Sequence, residues 1–234
     1  MLVKELIQRV QSLYSKGVQS DDSRLSERHI YNKLLSVRSR LIFQKVNKRQ
    51  KINQWTYQVL PCVKLVEAAK HECPCIPTGN CKILRTELPL PMPISSLDKH
   101  IIQSVTSLDG NIVFDESTFE SEKYGAGNKY TSTKPNFYIR NGYLYITDRT
   151  GLEVITITGL FDDPVEAGNY ASFCEDVCPE CNCKSAMDME FPIDSDLIEP
   201  LVEISIQELI VLFSQMREDQ TNDARDNLIQ ESKS

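Results

Sequence analysis

No apolar run in this chain reaches the roughly 18–20 residues that a helical membrane span needs. Also absent are a Walker loop, a nucleophile elbow and a His-Glu-x-x-His motif. Histidine is scarce: His29, His71 and His100 stand in unrelated settings, and His29, among basic residues at a helix start, reads as a solvated side chain rather than a base. Gly125-Ala126-Gly127 precedes no helix, so it lacks the amides that a phosphate cradle uses. Asp162-Asp163 abuts Pro164, which suggests a turn rather than an acid–base pair. No catalytic residue is assigned, and the chain reads as a non-enzyme. It has no internal repeat. Lys4, Glu5, Arg9 and Lys16 break up the opening segment, which argues against a secretory signal peptide and for assembly in a cytosol.

What is present is a chain of 234 residues, 41% apolar and 25% charged, as expected of one sizeable folded domain or a domain with helical attachments. Its net charge of −7 is unevenly laid out. Residues 1–54 hold 12 Lys or Arg against 4 acids (+8), residues 55–159 hold 10 against 11 (−1), and residues 160–234 hold 4 against 18 (−14). Opposite ends invite either head-to-tail contact between copies or neutralisation within one subunit, and charge totals leave both open.

Apolar periodicity predicts a helix over Leu2 to Leu13, with Leu2, Leu6, Val10 and Leu13 on one stripe and Gly17 beyond its end. A second follows Ser26 as N-cap, with Ile30, Leu34, Val37 and Leu41 facing one way. Neither helix can bury its stripe alone. From Thr56 the pattern turns to β: Gln54 to Val66, Gly110 to Phe114, Asn136 to Arg140, Tyr143 to Thr147 and Val154 to Thr158. Asn141-Gly142 suits a two-residue type I′ hairpin turn. Leu88 to Pro93 reads as extended and polyproline-like. A last helix spans Leu201 to Met216, with Val202, Ile206, Leu209, Ile210 and Phe213 on one face. The expectation is an α+β subunit: N-terminal helices (1–54), a central antiparallel β-domain with cysteine-containing loops (55–193), a C-terminal helix packing back on the first two (194–218), and a polar tail (219–234). The tail is expected to order only against another chain.

Eight cysteines in a chain with no sign of export read as reduced thiols or metal ligands rather than disulfides. Cys174, Cys178, Cys181 and Cys183 lie within ten residues and match a structural zinc site in ligand type, with Cys178 and Cys181 at the common half-site spacing. Free loop thiols are the plain alternative. His71, Cys73, Cys75 and Cys81 form a less regular group, and the CxxC opens no helix after a strand, which sets aside a thioredoxin-like role. Arg38, Arg40, Lys45, Lys48, Arg49 and Lys51, followed by Trp55 and Tyr57, form a basic run able to track a nucleic-acid backbone, against an acidic remainder.

Three stretches carry a resemblance: Asp21-Asp22-Ser23-Arg24-Leu25-Ser26-Glu27-Arg28-His29-Ile30-Tyr31, Ile157-Thr158-Gly159-Leu160-Phe161-Asp162-Asp163-Pro164, and Glu218-Asp219-Gln220-Thr221-Asn222-Asp223. In this order, with helices flanking a β-domain, they resemble the neck or ring proteins of crAss-like tailed phages. The resemblance implies a virion component of the head-to-tail connector, forming a ring of copies below the portal with other neck or tail proteins as neighbours and no membrane. It implies no catalytic residue, and the cysteines match nothing in it. The competing reading is a zinc-stabilised nucleic-acid-binding adaptor.

Overall fold

A computed structural model describes residues 1–17, 25–68, 82–96, 99–121, 135–148, 151–170, 173–174 and 185–214. Two helices open the chain, α1 (Val3–Tyr14) and α2 (Glu27–Asn47). Ser26 caps α2, its Oγ accepting from the His29 amide. After a single 3-10 turn at Gln54–Thr56 come the strands: β1 (Gln58–Glu67), β2 (Lys82–Thr86), a small separate pair β3 (Ser95–Ser96) and β4 (Lys99–His100), then β5 (Ile102–Ser107), β6 (Val113–Glu116), β7 (Asn136–Arg140), β8 (Tyr143–Asp148) and β9 (Val154–Gly159). The short helix α3 (Pro164–Gly168) and the long helix α4 (Ile198–Ser214) complete the described residues.

Seven strands close into a barrel in the order β1-β2-β8-β7-β6-β5-β9. Closure removes the unpaired edges that an open sheet would leave. Alternation fills the interior: in β9, Ile155 and Ile157 are fully buried, and they meet Leu60, Val63, Val105, Phe114, Phe137 and Leu144. The β7–β8 turn holds Asn141 at φ 52° and Gly142 at φ 79°, the left-handed pair that a type I′ turn requires. One pairing departs from the antiparallel expectation. β6 runs parallel to β7 (Asp115 opposite Asn136), the step that completes the ring. A bulge in β1 between Leu60 and Val63 holds Cys62 at φ 50°, buried next to Val63.

The apolar stripes of α1, α2 and α4 meet one another. Leu6, Ile7, Val10, Ile30, Leu34, Val37, Leu201 and Val202 form one core, so these helices find their partner surface within the subunit. At about 2 kcal/mol for each fully buried aliphatic side chain, this layer is held by its own packing. Leu13 and Ile210, expected on the buried stripes, are instead about half exposed. The layer meets the barrel across a small cluster of Ile42, Ile94 and Leu160, where the extended run after Leu88 pairs with the chain leaving β9 (Ile94 N–H to Leu160 O, 2.8 Å; Asp162 N–H to Met92 O, 2.8 Å). The expected strand at Gly110 to Phe114 lies further on, because Gly110 (φ 72°) is part of the β5–β6 turn. Lys82–Thr86 and Ile102–Ser107 are strands that the sequence reading did not anticipate.

Candidate functional site

The basic run of α2 and its extension, read as able to track a nucleic-acid backbone, is engaged within the subunit at three of its six cations, Arg38, Arg40 and Lys45. Arg38 is fully buried. Its Nε donates to Pro192 O at 2.9 Å and its Nη1 to Phe161 O at 2.7 Å, while the guanidinium lies 5.7 Å from the Phe191 ring centroid. Burial draws its pKa down to about 10, opposed by Asp162, Tyr31 and Asp163, so it remains charged at neutral pH. Lys45 lies in a nearly closed pocket, 2.5 Å from Asp194 Oδ2 and 2.9 Å from Asp196 Oδ2. Arg40 pairs with Glu208 at 2.6 Å, and Lys33 joins the same carboxylate.

Five of the six ion pairs among the described residues join the basic first 54 residues to acids between 194 and 208, Arg9–Glu199 among them. At these pairs the opposite charges of the two ends meet inside one subunit. Asp194 is the centre of this seam. It accepts from Lys45, from Thr56 Oγ1 and from the Asn53 amide (3.1 Å), tying α2, the 3-10 turn and the entry to α4 together. Burial pushes its carboxyl up, but the Lys45, Thr56 and Asn53 hydrogen bonds outweigh this and hold it below the usual range. The Glu208 carboxyl is likewise lowered, by hydrogen bonds from Lys33 and then Arg40.

Lys48, Arg49, Lys51 and Trp55 stay at the surface, and Trp55 is 88% exposed. A groove of about 320 Å³ lies between α2 and the Met92 to Ser95 run, and its charged lining residues are already engaged, Arg40 with Glu208 and Asp162 with Ser39. Asp163, expected in a turn, instead caps the short helix α3 by accepting from the Val165 amide at 2.8 Å, and it also accepts from Tyr31 Oη at 2.8 Å.

The cysteine reading changes at one position. Cys174 is bonded to Cys62 with the two Cα atoms 5.5 Å apart, so it is a disulfide partner here and not a thiolate ligand. The link fastens the chain beyond α3 to the β1 bulge, where the Phe173 amide also donates to Cys62 O at 3.0 Å. Cys178, Cys181 and Cys183, and the group of His71, Cys73, Cys75 and Cys81, lie outside the described residues, as do Gly125 to Gly127 and the tail from Arg217. Among the described residues no three potential ligands come together, and no helix is long and apolar enough to cross a membrane.

A closed barrel joined to a helical layer through the buried Arg38, with ion pairs tying the helices to one another, defines an α+β module. The chain belongs to the phage tail ring protein 2 family, whose model matches residues 5–228. It is 28% identical to ring protein 2 of Bacteroides phage crAss001, over 97% of this chain and 98% of that protein. The resemblance carried by the three short stretches is therefore shown, even though two of them lie partly or wholly outside the described residues.

The seam makes a pH-dependent prediction. Because the Asp194 carboxyl is depressed in the fold, its stabilisation is complete above an unfolded value of about 4 and is lost as the pH falls through the lower folded value. Asp194→Asn should cost about 2–4 kcal/mol at pH 7 in urea unfolding, and the difference from the wild type should shrink in acid. An undiminished difference at pH 2 would contradict the ion-pair account.

Proposed function

We propose that this chain is a virion subunit of an oligomeric ring in the phage neck, joining the portal to the tail and keeping a central channel continuous. The observation that carries the reading is membership of a tail ring protein family over nearly the whole chain, with a relative aligned end to end. Its partners are copies of itself, the portal, and other neck or tail proteins met during assembly in the host cytoplasm. Its work is binding rather than catalysis. A subunit whose helical stripes are buried internally and whose seam charges are paired enters such a ring as a preformed block, and its contacts with neighbours come from surfaces outside the seam.

The alternative of a nucleic-acid adaptor is weakened because Arg38, Arg40 and Lys45 are engaged within the subunit. Structural zinc remains a proposal resting on cysteine spacing. A four-thiolate site of Cys174, Cys178, Cys181 and Cys183 requires the Cys62–Cys174 bond to be open. Bound zinc is therefore expected to approach about one per chain only in reduced protein, and a full equivalent with that bond intact would contradict the coupling.

Imaging of intact virions, with the chain located by its density or by a label, tests the main reading. The expected result is a closed ring of copies between portal and tail. Absence from virions, or scattered single copies, would end the connector reading.

A further inference from the structure

We propose that neighbouring copies dock head to tail, the Trp55 edge of one barrel against the Val113 edge of the next. This deepens the ring reading above and rests on it. The first edge lies where α2 gives way to β1. There Trp55 is 88% exposed and Val59 54%, beside the exposed cations Lys48, Arg49 and Lys51, which have no ion-pair partner among the described residues. A tryptophan so exposed, six residues after an exposed arginine, offers the residue types enriched in contact hot spots.

The second edge is its counterpart in the opposite sign. Val113 is 55% exposed on β6 and Leu108 56% on the turn before it. Asp115, Glu116 and Glu120 are exposed alongside, also without an ion-pair partner among the described residues. Each edge is thus a small apolar centre flanked by charge, basic on one and acidic on the other, which sets register and orientation.

Barrel topology decides how the two edges can meet. β1 and β6 are separated by β9 and β5, three steps around a closed ring of seven strands. Leu60 and Phe114, the neighbours of Val59 and Val113, point into the interior, so Val59 and Val113 point outward. They therefore leave the barrel on nearly opposite walls and cannot touch within one chain. A contact between them is heterologous, and repeated with a closing rotation it makes a ring. The second copy is favoured over nucleic acid because the acidic edge supplies a matching surface for each basic one.

Zero-length carbodiimide cross-linking of intact virions, followed by peptide mapping, tests this directly. The expected products join Lys48 or Lys51 to Asp115, Glu116 or Glu120, recovered from bands of at least two chain masses and absent from the single-chain band. Links from these lysines only to other proteins or other parts of the chain, or no links from them, would overturn the docking. So would ultraviolet cross-linking of Trp55 to packaged DNA. Peptides of this chain missing from purified virions would instead remove the ring reading itself. As a second arm, a phage carrying Lys48→Glu and Lys51→Glu should lose at least about tenfold in infectious particles and recover with Asp115→Lys and Glu116→Lys; failure of that rescue would also overturn the docking.

Discussion

The architecture turns on one buried cation. Arg38 projects from the middle of α2 into the buried joint between helices and barrel, and its planar fork holds the carbonyls of Phe161 and Pro192 together. The first belongs to the segment leaving the barrel after β9, the second to the segment approaching α4. A guanidinium is costly to bury, and the cost is offset only because these carbonyls, the Phe191 ring and nearby Asp162 all face it. Loss of the side chain would leave those carbonyls without their donor and the helices without their main polar tie to the barrel. The Ser39–Asp162 and Tyr31–Asp163 hydrogen bonds extend the same joint along α2.

Around that tie the charge distribution of the chain becomes intelligible. The basic opening segment and the acids between 194 and 208 are far apart in sequence but are folded against each other, with Asp194 collecting three partners and Glu208 two from the early residues. The polarity of the ends thus serves intramolecular assembly first. What is left for neighbours is smaller and more local, namely apolar points with flanking charge on the barrel walls. This division suits a subunit that must fold before it joins a larger structure.

The parts legible in the sequence were those governed by local rules. Asn141-Gly142 demanded positive φ at both positions and was correctly a hairpin turn. The stripes of α1 and α2 and the Ser26 cap followed from periodicity and capping chemistry. Asp163-Pro164, expected as a turn, opens the short helix α3 instead, because a carboxylate before proline is a ready helix cap. The parts that stayed hidden depend on distance. Arg38 and Lys45 looked like their exposed neighbours, since composition does not tell a solvated cation from one met by partners more than a hundred residues away. The Cys62–Cys174 link spans 112 residues, and the local cysteine spacing around Cys174 pointed elsewhere. The strand Ile102–Ser107 carries four polar side chains in six residues, and it forms because β9 and β6 pair with it on either side. As for the candidate contact surface, Trp55 and the cations before it were visible as residue types, but only the fold shows which of them remain outside.

The central claim is that helical layer and barrel form a single cooperative body through the Arg38 joint. Amide hydrogen exchange across a urea series, read by mass spectrometry, measures this directly. Peptides from α2 (residues 30–45) and from β9 and its exit (residues 154–162) should lose protection at the same urea concentration in the wild type. In Arg38→Ala the helical peptides should open first. Helices that open well before the barrel in the wild-type protein would contradict the account.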